Sequence, residues 1–204
     1  MSKIAIIGAS GNVGTQLVAE ALSRNHTVTA IARDPSKLGV RPDLNLKPVD
    51  LNDSTALLKA IAGHDVVISS VRFSGLVPGT LINVLKQSDV DRFIVVGGAA
   101  SLNLADGTRL LDSPHFPAEY KPEASAAVEF LAALRQEHGL VWTFVSPSME
   151  FLSGERTGKF RTGLDDLLTD GKGRSWISYQ DFAVALLDEI EKPAHLKQRF
   201  TVGY

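Results

Sequence analysis

The 204-residue chain contains no cysteine, which excludes disulfides, thiolate metal sites and cysteine nucleophiles. It also lacks an excess of either charge, with 21 Lys and Arg against 23 Asp and Glu and a formal net charge of −2. That balance gives no electrostatic case for nucleic acid or an anionic membrane, and neither is expected as a partner. No apolar run approaches the roughly 20 residues that span a bilayer. His26, His64, His115, His138 and His195 show no metal-ligand spacing, so no metal is expected. The absence of a G-x-S-x-G elbow argues against a hydrolase. Ser2 and Lys3 run straight into a short apolar stretch rather than a leader, which sets the expectation of a cytoplasmic protein.

What is present is ordinary in bulk, 44% hydrophobic and 22% charged, and long enough for one domain over residues 1–204. Apolar runs predict strands at Ile4–Ile7, Thr27–Ala32, Leu46–Asp50, Asp65–Val71, Arg92–Gly98 and Leu140–Ser146. Between them, apolar residues at helical spacing predict helices at about 12–24, 54–62, 78–87 and 123–137. Pro78 suits the first turn of the third. Such alternation predicts an α/β fold, a doubly wound parallel sheet covered on both faces. Beyond Ser146 the pattern weakens. The stretch "SPSMEFLSGERTGKFRTG" reads as loop, followed by a short strand at Trp176-Ile177, a helix at about 181–191 and a last strand at Phe200–Val202. A small irregular C-terminal portion is therefore expected.

The first strand and helix are joined by Gly8-Ala9-Ser10-Gly11-Asn12-Val13-Gly14. Strand, glycine loop and helix together are the context of a dinucleotide fingerprint, here spaced G-x-x-G-x-x-G. The glycines permit a tight turn and close backbone approach to a pyrophosphate, while the helix N-terminus offers N–H groups to its charge. Gly8, Ser10, Gly11, Asn12, Val13 and Gly14 are thus expected to bind cofactor. Arg33 follows the second strand, where an acid would take ribose hydroxyls and an arginine suits a 2′-phosphate, so NADP is favoured and NAD stays open. Asp34 can accept from a ribose or simply close its turn, and Lys37 can add a second cation. Asp50 can reach an adenine amino group or initiate the next helix. Ser69, Ser70, Val71, Gly97 and Gly98 lie just past the carboxyl ends of strands four and five, where ligands sit in open α/β sheets. Bare glycines there would let a flat ring approach the backbone.

The stretches "IIGASGNVG", "AIARDPSKL", "DVVISSV", "RFIVVGGAASL", "FPAEYKPEA", "GERTGKFRTG" and "ISYQDFAVALLDEI" span nearly the whole chain. Through them the chain resembles an atypical short-chain dehydrogenase/reductase, in the Rossmann-fold branch described as NADH-flavin reductases. More distantly it is similar to biliverdin-reductase-B-type flavin reductases and NmrA-like proteins. The resemblance implies an NAD(P)H-dependent oxidoreductase acting on a small molecule. It also implies that Ser146 and Pro147 contact the nicotinamide end and that Ser101 lies nearest the usual catalytic serine. The family's Tyr-x-x-x-Lys pair is missing: Tyr120 is followed four positions on by Ala124, and Lys121 is adjacent. On a helix only residues three or four apart share a face. Ser101, Tyr120 and His115 stay as catalytic candidates, with Tyr120 and His115 alternatively closing over the pocket. Reducing a ketone needs a positioned acid, whereas a flavin or quinone takes hydride into a conjugated ring. The expectation is therefore an NADPH-preferring reductase of a flavin, quinone or similar planar acceptor, with flavin as substrate. The alternatives are a non-enzymatic NADP(H) sensor working through a protein partner, and a carbonyl reductase or epimerase. A homodimer is left open. "GERTGKF" is too short and lacks the Ser or Thr of a P-loop, though Arg156, Lys159 and Arg161 could meet a substrate phosphate such as that of FMN.

Overall fold

The computed structural model describes residues 1–204. The strands are β1 (Lys3–Ile7), β2 (Thr27–Ala32), β3 (Leu44–Pro48), β4 (Val66–Ser69), β5 (Arg92–Val96), β6 (Trp142–Pro147), β7 (Glu150–Leu152), β8 (Arg161–Gly163), β9 (Trp176–Ser178) and β10 (Gln198–Gly203). The helices are α1 (Asn12–Ser23), α2 (Ser54–Ile61), α3 (Pro78–Gln87), α4 (Lys121–Arg135) and α5 (Tyr179–Glu191). Eight strands form one sheet in the order β3-β2-β1-β4-β5-β6-β10-β8, parallel throughout except that β8 runs antiparallel to β10. The chain winds outward from β1 to β3, then returns to β4 beside β1 and winds the other way. This order puts the reversal between β1 and β4, and with it the crevice at their carboxyl ends.

Alternation along the buried strands divides the core into two layers. Ile4, Ile6, Val66, Ile68, Ile94 and Val96 face a cluster completed by Leu17, Val18 and Ala21 of α1 and by Phe182 and Leu186 of α5. Ala5, Ile7, Val67, Phe93 and Val95 face the opposite cluster, built with Leu57 of α2, Leu81 and Leu85 of α3, and Phe130 and Leu134 of α4. Both faces being apolar, these strands read as continuous hydrophobic runs. The helix starts follow local chemistry. Asp53 caps α2 by accepting from the Ala56 amide at 2.9 Å, and Ser178 caps α5 by accepting from Asp181 at 3.0 Å.

Several boundaries differ from the sequence expectation. β3 begins at Leu44 and ends at Pro48, since pairing with Val28 to Ala32 sets its register on an outer strand of the sheet. α4 begins at Lys121 rather than Glu123, and Tyr120 is its N-cap. The stretch expected to be loop contains β7 and β8. β7 pairs with β9 in a separate two-stranded sheet, and β8 lies on the outer edge of β10. Strands of three residues are too short to carry a periodic signature and are created by the distant partner they pair with.

Candidate functional site

Gly8 ends β1 with φ +80°, and a Cβ there would lie 2.3 Å from the Ser70 carbonyl oxygen. The first turn after β1 is thus pressed against the segment after β4. Gly14 seals the other side of the loop, because its Cβ would lie 2.2 Å from the Gly8 carbonyl oxygen and 2.8 Å from Ala9 Cα. Gly11 is different. Its φ is −76°, and a Cβ would meet only the Gly8 oxygen, at 3.3 Å. No side chain caps α1 and no acid occupies its first turn. The Gly11 and Thr15 amides bond to Gly8 and Gly11, while those of Ser10, Asn12, Val13 and Gly14 find no acceptor in the chain. Four free amides at a helix N-terminus form a receptor for a phosphate.

An open cleft of about 870 Å³ lies over this turn. Gly8, Ser10, Gly11, Arg33, Asp50, Ser70 and Val71 line it, as do Asp34, Lys37 and Arg72. Arg33, Lys37 and Arg72 make no ion pair within the chain. Asp34 accepts from the Ser36 amide at 3.0 Å, and hydrogen bonding from Ser36 holds its carboxyl below the ordinary range. Asp50 accepts from the Asn52 amide at 2.9 Å and the Asn52 side chain at 3.0 Å, so one of its oxygens already closes a turn. The residues present fit a dinucleotide. The glycine turn leaves its amides bare, and the unpaired cations stand where the strand ends converge. Asn12, Val13 and Gly14 do not line the cleft with their side chains. Val13 and Gly14 pack inward, and their share in binding would be through the amides. Ser69 is buried at the end of β4, behind the lining.

A second hollow, about 570 Å³, opens past β5 and β6. Consecutive residues line the two, Arg72 the first and Phe73 the second. Its walls include Phe73, Leu104, Leu110, Phe116 and Phe151, together with Gly97, Gly98, Pro147, His115 and Tyr120. Gly97 has a packing duty the sequence did not reveal: its Cβ would fall 2.1 Å from Phe144 Cε1, so the bare backbone there accommodates a buried ring of the protein itself. Gly98 leaves open space, with Ala127 Cβ the nearest atom at 3.8 Å. Ser101 lies outside both hollows, and its hydroxyl accepts from Arg199 Nη1 at 3.0 Å. Arg199 in turn is held by Asp165. Ser146 is fully buried in β6, away from the lining, and its hydroxyl has no partner.

Tyr120 is 62% exposed at the rim. Lys121, one residue on, is turned about 100° round the helix and does not share its face. Glu123, which the sequence did not single out, lines the hollow and accepts from the Phe73 amide at 2.7 Å and the Ser74 amide at 2.8 Å. Burial raises its carboxyl pKa, but hydrogen bonds from Ser74 and Phe73 and the charge of Arg72 outweigh that, leaving it below the ordinary value. Both its oxygens accept from backbone amides, which favours the carboxylate over the protonated acid. Met149, Glu150 and Phe151 were also missed as lining residues, having been read as featureless loop. The basic stretch fares otherwise than the sequence suggested. Arg156 donates to buried Glu20 at 2.7 and 2.8 Å, Arg161 donates to the Thr169 and Tyr204 carbonyls, and neither lines a hollow.

The strand order and the bare-amide turn at its reversal place the chain in the Rossmann class of dinucleotide-binding folds. The family described as NAD(P)H-binding matches residues 8–193, and the chain belongs to it. It is similar to YwnB, an uncharacterized protein of Bacillus subtilis, with 42% identity over 98% of this chain and 97% of that protein. Among solved structures, a "putative epimerase" from Bacteroides thetaiotaomicron is similar at a TM-score of 0.94 with 40% identity, over 99% of this chain and 96% of that one. A "putative NADH-flavin reductase" from Streptococcus pneumoniae is similar at 0.85 with 38% identity, over 100% and 99%. No helix is long and apolar enough to cross a membrane.

Proposed function

We propose that the protein is an NADPH-preferring reductase that passes hydride to a flavin, quinone or similar planar acceptor held in the second hollow. The observation that carries this reading is the aromatic-walled hollow beside the cofactor cleft, in which neither Tyr120 nor His115 has a side-chain partner that would activate it as a proton donor. Glu123 is an amide-bound carboxylate, and Tyr120 lacks a lysine on its face. A carbonyl substrate would leave an alkoxide needing an acid at hand, whereas a conjugated ring spreads the charge and takes its proton from water. Bound NADPH would supply the chemistry, a hydride carrying two electrons and one proton, and solvent would supply the one further proton that the reduced acceptor needs. The chain's contribution is to bind and orient. The free amides of the first turn hold the pyrophosphate, Arg33 and Lys37 select the 2′-phosphate, and the walls of the hollow stack the acceptor.

NADPH and NADH titrations by cofactor fluorescence, followed by NADPH oxidation with menadione, riboflavin and a panel of aldehydes and ketones, test it. Quinone and flavin turnover without carbonyl turnover is expected. Tyr120→Phe should keep that turnover within about threefold, since losing a working general acid would cost about 10²–10⁴-fold. Carbonyl turnover abolished by Tyr120→Phe would favour a carbonyl reductase instead. Tight binding with no acceptor turned over would favour a sensor.

A further inference from the structure

The walls of the second hollow carry charge of one sign. Glu123 and Glu150 line it, and no lysine or arginine does. Glu123 is kept ionised by the Phe73 and Ser74 amides. Glu150 is held below the ordinary carboxylate range by Arg174, which pairs with it at 2.5 Å but is not part of the lining. Arg174 also lies over the Trp176 ring at 4.5 Å, an attachment that keeps it where it is. Arg72, which makes no ion pair and whose charge acts on Glu123, belongs to the lining of the cofactor cleft and not of this hollow. Of the three cations that the sequence offered for a substrate phosphate, Arg156 is engaged with Glu20 and Arg161 with backbone carbonyls, while Lys159 makes no ion pair but lines neither hollow.

We infer that the second hollow admits planar acceptors bearing no negative charge, and that Glu123 and Glu150 turn anionic ones away. The inference rests on the reductase reading for the hollow's role as the acceptor site. Its physical basis is twofold. Two carboxylates beside apolar walls repel an anion more strongly than they would in water. An entering phosphate or carboxylate would also lose hydration with no cationic donor to replace it. An uncharged ring meets neither obstacle, and Phe73, Phe116 and Phe151 offer it faces and edges to pack on. Exposed Tyr120 and Met149 at the rim, 62% and 54% accessible, suit an apolar substituent on that ring. The acceptor class is therefore the neutral quinone or unphosphorylated flavin type.

Riboflavin and FMN share one ring and differ by a phosphate, so they isolate the charge. Their binding to the protein, with and without NADP⁺, is read by quenching of flavin fluorescence. Riboflavin should bind at least about tenfold more tightly, corresponding to about 1.4 kcal/mol. The gap should narrow in high salt and narrow further in Glu150→Lys, with Glu150→Gln between. Glu150 is on the rim with a side chain 49% exposed, and losing an exposed ion pair leaves the fold intact. FMN binding as tightly as riboflavin, or failure of both to bind, overturns the inference. Riboflavin bound selectively but never reduced by NADPH would sink the reductase reading and leave the charge selection standing.

Discussion

Replacing the three loop glycines singly with alanine should give three different outcomes, although the spacing treats them alike. In Gly14→Ala the new Cβ would start 2.2 Å from the Gly8 carbonyl oxygen and under 3 Å from two backbone atoms of Ala9. Backbone cannot swing aside, so α1 must draw back by about 1 Å to restore van der Waals distance. That shift disturbs Leu17, Val18 and Ala21, which are buried against the sheet. Overpacking of this kind costs about 1–3 kcal/mol, and the better helix propensity of alanine returns about 1 kcal/mol. Contacts this short with rigid backbone put the cost in the upper part of that range, about 2–3 kcal/mol, so a net loss of about 1–2 kcal/mol lowers Tm by about 2–8 °C in a chain of this length. Gly8→Ala adds a positive φ to a 2.3 Å clash with Ser70 and should fall further, by about 2–4 kcal/mol. Gly11→Ala has ordinary backbone angles and one 3.3 Å contact, so its stability should stay within about 0.5 kcal/mol of the parent. Its methyl group would stand in the cleft among the free amides, weakening NADPH by about tenfold or more. Calorimetry of the free proteins and NADPH fluorescence titration read the two effects separately. A Gly14→Ala protein as stable as the parent, or a Gly11→Ala protein that binds NADPH normally, would refute the division of labour.

Arg33→Ala should weaken NADPH by about 10–100-fold, the range for losing a charge-assisted hydrogen bond to phosphate, and leave NADH nearly unchanged; equal losses for both would remove Arg33 from 2′-phosphate selection. Gly97→Ala would press a methyl group onto Phe144 and should cost about 1–3 kcal/mol, with Phe144→Leu in the same chain recovering part of it; urea unfolding midpoints decide this. Glu20, buried between Arg24 and Arg156, has its carboxyl lowered from 4.5, chiefly by the hydrogen bond from Arg156. A folded pKa below the unfolded one gives stability that is present above the unfolded value and lost as pH falls through the folded value. Glu20→Gln should therefore cost about 1–3 kcal/mol at pH 7 and progressively less below about pH 4.5, a convergence visible in unfolding midpoints across that range.

Much of the wound sheet could be read from the chain, because β1, β2, β4 and β5 are buried on both faces and therefore written as predominantly apolar runs. The first turn could be read as well, since strand, glycines and helix adjoin in sequence and their geometry is local. β7 and β8 could not. Each is three residues whose only reason to be extended is a partner, β9 for one and β10 for the other, that lies elsewhere in the chain. The second hollow could not be read for the same reason. Glu123 sits on α4 in a helical pattern like any surface acid, and nothing around it signals that the amides of Phe73 and Ser74 reach it across some fifty positions. Ser101 looked available until Arg199, from the last strand, was brought against its hydroxyl.

By itself the sequence determined the alternation of elements, the cofactor turn and the missing tyrosine–lysine pair, all of which depend on residues within a few positions of one another. Only the tertiary structure decided which glycines are held by packing and which face a ligand, because Gly8 and Gly97 answer to Ser70 and Phe144, which folding alone brings within 3 Å of where a Cβ would stand. It decided the charge of the second hollow in the same way. Arginines carry no mark of their eventual partners, and Arg156 and Arg161 were withdrawn from the site by a buried glutamate and two carbonyls on other elements. Ion pairing and steric exclusion act through distance in space, and separation along the chain does not encode it.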